Sequence, residues 1–334
     1  MARPASAQRF HLHIENGRKR PVIFQLTDAI YAAAAKRHRT LARRLKVTIG
    51  WDEDILGTAL RTADFMINQN PPRDGLRERA PRLRWIQTTG AGIDQLMPLD
   101  WLPADIALTN NRGAHGEKAE DSCAMALLML NSRMPAIFDQ QRAGVWRQVF
   151  STPIAGKTVV VIGFGDLGQA AGRAAKKLGL KVIALTRGGK PARAADVVHK
   201  ISRLDRVLPL ADFVIVATPL TVETRGLLDR RRLDLLKPGA GLFNIGRAPV
   251  IDYDALRAKL VNGELAGALV DVVSPEPLPA DSPLWTTPNL VVMPHVSCDD
   301  PRYMDFLCDR WFENFARLLA RRPLRNQVNR ALGY

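Results

Sequence analysis

A chain of 334 residues is long enough for two domains with cores of their own. Its 46% hydrophobic and 24% charged residues are the composition of a soluble globular protein, with no apolar run long enough to span a bilayer. A formal charge of +15 raises nucleic-acid binding as a reading, and the run Lys36-Arg37-His38-Arg39 with Arg43, Arg44 and Lys46 is dense. No nucleic-acid motif accompanies it and aromatics are only 6% of residues, so a solvated helix face is favoured and the positive field is left to steer anionic ligands.

Cys123, Cys298 and Cys308 lack C-x-x-C spacing, which suits a reducing, cytoplasmic setting and argues against a structural zinc site. The start, M-A-R-P-A-S-A-Q-R-F, has basic residues but no apolar core, so secretion is not expected.

In chain order, strands are expected at 10–14, 46–50, 64–68, 83–87 and 106–109, with a helix near 28–45 and another opened by Pro71-Pro72. His11 and His13 share one face of the first strand but have no carboxylate or cysteine companions, so no metal site is expected. A helix over 117–130, with Ala119, Cys123, Ala126 and Leu130 on one face, carries the chain into a second domain. There a strand from Val159 runs through a glycine turn into a helix whose stripe is Leu167, Ala171, Ala174 and Leu178. Further strands follow at 181–185, 213–217, 241–245, 268–273 and 290–293, with crossover helices at 227–236 and 254–262, the latter ending at Gly263. Past Pro301, Met304, Leu307, Trp311, Phe315 and Leu318 recur at helical spacing, and this helix is expected to return to the first domain.

The fold class that follows is α/β with two open parallel sheets. A Rossmann dinucleotide-binding domain, 112–299, is inserted into a smaller flavodoxin-like substrate domain, 1–111 and 300–334, with hinges near Arg112 and Val296 flanking a cleft.

The segment V-V-V-I-G-F-G-D-L-G, 159–168, carries the most information. Gly163 permits the tight turn, Gly165 lets backbone approach a pyrophosphate, and Gly168 lets helix pack close on strand. The amides of Asp166 and Leu167 lie at a helix N-terminus, where donors are unpaired and the dipole is positive. The acid expected at the end of the second strand, to hold the ribose hydroxyls of NAD, is missing. The strand ends instead in Thr186-Arg187, followed by Gly188, Gly189 and Lys190. A guanidinium there binds a 2′-phosphate that a carboxylate would repel, so NADP(H) is favoured over NAD(H). The competing reading makes Arg187 and Lys190 ordinary solvated loop residues of an arginine-rich protein.

Three polar residues each lie just beyond an expected strand: Arg247 in N-I-G-R, Glu276 in D-V-V-S-P-E-P-L and His295 in M-P-H-V-S. In an open parallel sheet the carboxyl ends of strands border the ligand crevice. Hydride transfer to a 2-keto acid needs a cation for the carboxylate and carbonyl and an acid for the developing alkoxide. Singly, Arg247 reads as a surface ion pair, Glu276 as a solvated loop residue and His295 as a core histidine; their joint placement favours chemistry.

From residue 85 to the C-terminus the text resembles the D-isomer-specific 2-hydroxyacid dehydrogenase family, in particular its glyoxylate/hydroxypyruvate reductase-like branch. The matching motifs are T-G-A-G-I-D at 89–94, N-R-G-A-H at 111–115, the glycine fingerprint, T-P-L-T-V-E-T-R-G-L-L from Thr218 and K-P-G-A from Lys237. They continue with F-N-I-G-R-A-P-V-I-D-Y-D-A-L from Phe243, G-A-L-V-D-V-V-S-P-E-P-L-P from Gly267 and P-N-L-V-V-M-P-H-V-S from Pro288.

The resemblance implies that Arg247 binds the substrate carboxylate and carbonyl, that His295 donates the proton in reduction, and that Glu276 pairs with His295 and holds it as the imidazolium. It further implies that backbone amides around Ala91 and Gly92 receive the substrate carboxylate and that Thr218, Ile245 and Asp271 line the nicotinamide side. Two positions depart from the family: Ala248-Pro249 follows the arginine where glycine is common, and Cys298 stands where glycine is common. A cysteine nucleophile is disfavoured, because no thiol step is needed and a small buried residue is commoner.

The expected activity is NADPH-preferring reduction of a small 2-keto acid of the glyoxylate or hydroxypyruvate type to the D-2-hydroxy acid. A homodimer is implied by the family, with the helix after Glu117 as either partner surface or domain-bridging core. The alternative is a dinucleotide-sensing, corepressor-like interaction protein of the same fold. First-domain side chains are expected to decide the physiological acid.

Overall fold

Strand β1, Phe10–Asn16, is buried along its whole length, as expected where both faces of a parallel sheet are covered. The computed structural model describes residues 9–114 and 116–330; residues 1–8 of the leading segment and His115, which closes the N-R-G-A-H motif, lie outside the described residues. Contacts divide the chain into two units, Met1–Ala114 with Asp300–Tyr334, and His115–Asp299.

In the first unit β1 is flanked by β2, Leu45–Trp51, and β3, Phe65–Ile67. Strands β4, Trp85–Gln87, and β5, Ala107–Thr109, complete a wholly parallel sheet of order β2-β1-β3-β4-β5. This is the flavodoxin-like doubly wound order. Helix Tyr303–Leu319 covers one face. Its Trp311 stacks on Trp85 at 5.1 Å and on Phe315 at 5.3 Å, and Phe65 meets all three rings edge-on. Met66, Ile86 and Leu108 point the other way, into a second cluster with Leu60 and Leu83.

Two expected helices of this unit are shorter than their patterns suggest. The helix over 28–45 breaks at His38 into Asp28–Arg37 and the short turn Arg39–Ala42, because His38 is held off helical geometry (φ −112°, ψ 38°) by stacking on Phe312 at 4.7 Å and by a 2.8 Å contact to Asp309 Oδ1. Arg37 also reaches Asp305 and Asp309, so part of the basic run docks on the C-terminal helix and is not simply solvated. Pro71-Pro72 opens no helix. The chain stays non-helical until Gly75, left-handed at φ +59°, and then makes only the short turn Leu76–Arg79.

The second unit holds β6, Thr158–Ile162; β7, Lys181–Thr186; β8, Val197–Lys200; β9, Phe213–Val216; β10, Gly241–Asn244; β11, Gly267–Val270; and β12, Leu290–Val292. All pair in parallel, in the order β12-β11-β10-β9-β6-β7-β8. Strand order reverses between β6 and β9, the Rossmann switch point. Alternate residues of β6 serve two cores. Val159 and Val161 pack with Cys123, Ala126 and Leu127 of helix Gly116–Asn131 and Ala171 and Ala174 of helix Asp166–Lys177; Val160 and Ile162 share the opposite cluster with Leu256 and Leu260 of helix Tyr253–Val261.

The crossover expected over 227–236 is helical only at Arg230–Leu233, since Leu228 is drawn into extended pairing: its N–H donates to Val250 O at 2.9 Å. Strand β8 and helix Met134–Ala143 were not expected from the sequence. Among the described residues no helix is long and apolar enough to cross a membrane, and no group of three His, Cys, Asp or Glu side chains is gathered around a common point.

The first unit also contains a polar ladder inside its sheet. His11 lies 2.9 Å from Thr62 Oγ1 and from Thr48 Oγ1, Thr48 Oγ1 lies 2.9 Å from His13, and His13 Nε2 lies 2.9 Å from Glu15 Oε2. A Cβ on Gly50 would come within 2.6 Å of Glu15 Oε2, so glycine there makes room for the pair. Burial, with the charges of Lys46 and His13, holds the His11 pKa below its ordinary 6.5 against the opposing pull of Thr62 and Asp64. The unfolded chain therefore protonates first. The stabilising contribution of neutral His11 is complete above pH 6.5 and is lost as pH falls toward the depressed folded value. Urea midpoints measured between about pH 7.5 and 5.5 should fall with pH, and His11→Gln should flatten that slope; an unchanged slope would assign the proton uptake elsewhere.

Candidate active site

At the switch point the glycines are required by space. Gly163 has φ +87°, and a Cβ on it would lie 2.7 Å from Thr218 Cγ2 and 2.8 Å from Ala217 O. A Cβ on Gly168 would collide with Gly163 O, whereas one on Gly165 would meet nothing within 4 Å. The turn is thus packed closely on the protein side and open at Gly165, the vacancy a pyrophosphate needs. Helix Asp166–Lys177 begins there with Gly165 as its N-cap and no side-chain cap, which leaves its N-terminus suited to an anion. Thr218 Oγ1 is buried beside the turn without a hydrogen-bond partner, which suits a polar ligand group. These residues fit a dinucleotide.

β7 ends without an acid. Thr186 Oγ1 accepts the Gly189 N–H at 2.8 Å and so closes the loop, while Arg187 and Lys190 are exposed on it. The field of Arg187 contributes, after the Thr221 hydroxyl and the local backbone, to holding the Glu223 carboxyl below its ordinary pKa.

The ends of β10, β11 and β12 carry Arg247, Glu276 and His295. Buried Asn244 fastens the first loop: its Oδ1 accepts the Gly246 N–H at 3.0 Å, and its Nδ2 donates to Arg247 O at 3.2 Å and to the Tyr253 hydroxyl at 3.0 Å. Tyr253 in turn donates to Val272 O at 2.6 Å, tying the arginine loop to the one that leads to Glu276. Ala248-Pro249 forms a 3-10 turn, Ala248–Val250, with Arg247 extended before it; a Cβ on Gly246 would lie 2.7 Å from Thr218 O. Glu276 divides its oxygens: Oε1 accepts the Val273 N–H at 3.1 Å, and Oε2 lies 2.9 Å from His295 Nδ1.

His295 sits at φ +57°, a left-handed conformation imposed from below by Asp271. That carboxylate, 1% exposed, accepts N–H bonds from Val296 at 2.9 Å and Ser297 at 3.1 Å. Ser122 Oγ of helix Gly116–Asn131 donates to Ser297 O at 2.6 Å, bracing the loop from the other side. Burial, together with the charges of Asp271 and Asp299, pushes the Cys298 thiol up to about 12, with Arg247 and Lys118 pulling the other way. Arg247 therefore lies within electrostatic reach of the His295 loop. Half-buried Asp299 is raised by burial and by Asp271, against the pull of His295.

Of the residues singled out by sequence, Arg247, Glu276 and His295 fall on three neighbouring strand ends, and Gly163, Gly165, Asp166, Leu167, Gly168 and Thr218 gather at the glycine turn. Ile245 is committed to the core beside Phe243 and Leu269, and Asp271 to the His295 loop. Asn244 and Tyr253 were not anticipated; the only signal for them was their place inside F-N-I-G-R-A-P-V-I-D-Y-D-A-L.

In the first unit, the loop with Ala91 and Gly92 is fixed by Gln69, whose Oε1 accepts the Gly90 N–H at 2.6 Å and the Thr89 hydroxyl at 2.9 Å. Asn110 Nδ2 donates to Ala91 O at 2.8 Å, and the Tyr303 hydroxyl donates to Thr89 O at 2.9 Å.

Residues 124–297 match the model of the D-isomer-specific 2-hydroxyacid dehydrogenase NAD binding domain. The chain belongs to the D-isomer-specific 2-hydroxyacid dehydrogenase family. It is 33% identical over 245 residues to glyoxylate/hydroxypyruvate reductase B of Pectobacterium carotovorum, covering 71% of this chain and 77% of that one. Glyoxylate reductase of Thermococcus gammatolerans is 31% identical over 254 residues, with 73% and 76% covered. A solved D-isomer-specific 2-hydroxyacid dehydrogenase of Xanthobacter autotrophicus, in complex with NADPH and MES, superposes with TM-score 0.80 at 30% identity, covering 98% of this chain and 100% of that one. Membership makes the chain an NAD(P)-dependent oxidoreductase of 2-hydroxy acids.

Proposed function

We propose that this 2-hydroxyacid dehydrogenase is an NADPH-preferring reductase of small 2-keto acids, with glyoxylate and hydroxypyruvate as the first to assay and the D-2-hydroxy acid as product. The observation that carries this reading is the 2.9 Å contact between Glu276 and His295 on a loop pinned by Asp271. Residues 112–299 serve as the dinucleotide domain, and 1–111 with 300–334 as the substrate domain. A bound nicotinamide supplies the hydride.

The chain's own groups do the rest. His295 donates a proton from Nε2 to the developing alkoxide, because Nδ1 is turned to Glu276 at 2.9 Å, which orients the ring. Arg247 neutralises the substrate carboxylate and polarises the carbonyl, and the amides at Ala91 and Gly92 receive the carboxylate. Thr218 offers its buried hydroxyl to the cofactor, and Thr186, Arg187 and Lys190 form the 2′-phosphate loop.

His295→Gln should leave NADPH binding unchanged by fluorescence titration and lower kcat by about 10²- to 10⁴-fold on glyoxylate. Wild-type turnover in that variant removes His295 as the acid, and a wild-type protein inert toward a panel of keto acids favours a dinucleotide-sensing role. Arg187→Asp should cut the NADPH-to-NADH ratio of kcat/KM by about tenfold or more; an unchanged ratio takes Arg187 out of the phosphate site.

The homodimer belongs to the same reading. Helix Gly116–Asn131 buries Cys123, Ala126, Leu127 and Leu130 and exposes Met125 and Leu128, and the segment after helix Met134–Ala143 presents the more exposed aromatics as the partner surface: Trp146 is 97% exposed and Phe150 82%. Two such aromatics a few residues apart on one segment are the kind of apolar surface that marks an interface. Light scattering should give a dimer mass for the wild type and a monomer for Trp146→Glu; a dimer in both places the interface elsewhere.

A further inference from the structure

Arg20 is a half-buried guanidinium standing on the loop that carries Ala91 and Gly92. Its Nη1 donates to Thr89 Oγ1 at 2.9 Å, and its Cζ lies 5.5 Å from the centroid of the Phe24 ring. Phe24 is itself fixed edge-on against buried Tyr303 at 5.4 Å, so the cation rests on a rigid shelf. Among the described residues Arg20 has no carboxylate partner. The nearby acid is spent: Asp52 accepts from Arg18 N and Arg18 Nη1, both at 3.0 Å. Of the five N–H donors of a guanidinium, the side chain uses one on the protein, and none of the others is buried without a partner. Burial holds the Arg20 pKa below its ordinary value, with Tyr303 in partial opposition, which fits a cation without its counter-charge.

Several other arginines of this unit are neutralised within the protein. Arg18, Arg37, Arg77, Arg82, Arg84 and Arg325 each pair with a carboxylate. A positioned, desolvated and unneutralised guanidinium is costly to maintain unless an anion completes it.

We propose that Arg20 is a specificity-determining residue that binds a second anionic group of the substrate, so that the preferred acids are 2-keto acids with a carboxylate or phosphate at the far end. This rests on the reading in which Arg247 and the Ala91 and Gly92 amides already take the carboxylate that every 2-keto acid carries. Arg20 then has only a further anion to serve, and its fork matches either group bidentately.

The test compares full-length wild type, Arg20→Met and Arg20→Lys, with NADPH, on pyruvate, oxaloacetate and 3-phosphohydroxypyruvate. Both acids with a second charged group, oxaloacetate and 3-phosphohydroxypyruvate, should be preferred over pyruvate by wild type. Arg20→Met should lose about 10- to 100-fold in kcat/KM on those two, through KM, and less than about threefold on pyruvate, while Arg20→Lys recovers part of the loss. Whichever of the two loses more identifies the terminal group. Equal losses on all three, or none, overturn the assignment, because Arg20 then serves the shared carboxylate or only the loop. Calorimetric Kd values for oxaloacetate and pyruvate on the same proteins keep the two readings separate. A wild type that reduces no keto acid ends the reductase reading, whereas Arg20 is still judged by whether Arg20→Met weakens oxaloacetate binding selectively.

Discussion

A buried carboxylate organises the strand ends that carry Arg247, Glu276 and His295. Asp271 follows β11 directly and is almost wholly removed from water, where an uncompensated charge is costly, and it is stabilised by the Val296 and Ser297 amides. Hydrogen bonds to charged groups contribute about 1.5–3 kcal/mol each. The same bonds fix the backbone on the C-terminal side of His295, and this is how a histidine is kept in a left-handed conformation that most residues avoid. The cost of that conformation is small beside the anchoring that imposes it. Asp271 thereby acts on the imidazole without touching it.

The same negative charge adds to burial in shifting its neighbours. The Cys298 thiol is pushed up by burial and then by Asp271 and Asp299, and burial is also the leading cause of the rise at Asp299. A thiol held protonated is a poor nucleophile, and the Cys298 side chain has the character of a small space-filling residue. The Tyr253 phenol, raised by burial, stays a neutral donor and bridges Asn244 to Val272 O. Through that hydroxyl, the loop bearing Arg247 and the loop bearing Glu276 are held as one piece.

Much of this fold was legible because its strands are buried on both faces and so appear as continuous β-branched runs bounded by glycine or polar turns. The four residues Val159 to Ile162 show the principle, and the glycines after them are individually forced by the backbone. Edge strand β8, V-V-H-K, is short and half polar and gives no such run. Helix Met134–Ala143 starts behind a left-handed Arg133, and its early proline is a start signal only in hindsight. The pattern over 28–45 was overridden by His38 packing on a helix some 270 positions later, which no local window contains. Likewise Arg247, Glu276 and His295 were visible through their motifs, whereas Asn244, Tyr253 and the Val296 and Ser297 amides that bond Asp271 became visible only once three strand ends lay side by side.

The excess of basic residues illustrates why position outweighs number. Many are consumed in surface pairs: Arg231 and Arg232 with Asp205, Arg173 and Lys177 with Glu120, Lys237 with Asp212. Exposed pairs of this kind contribute about 0–1 kcal/mol apiece and are screened by salt, so they neither hold the fold nor make a continuous anion-binding stripe. What remains chemically distinctive is cationic charge that is positioned, such as Arg20 on its aromatic shelf. A net charge of +15 therefore biases the approach of anions over long range, while discrimination among them falls to a few guanidinium groups whose geometry is fixed before the ligand arrives.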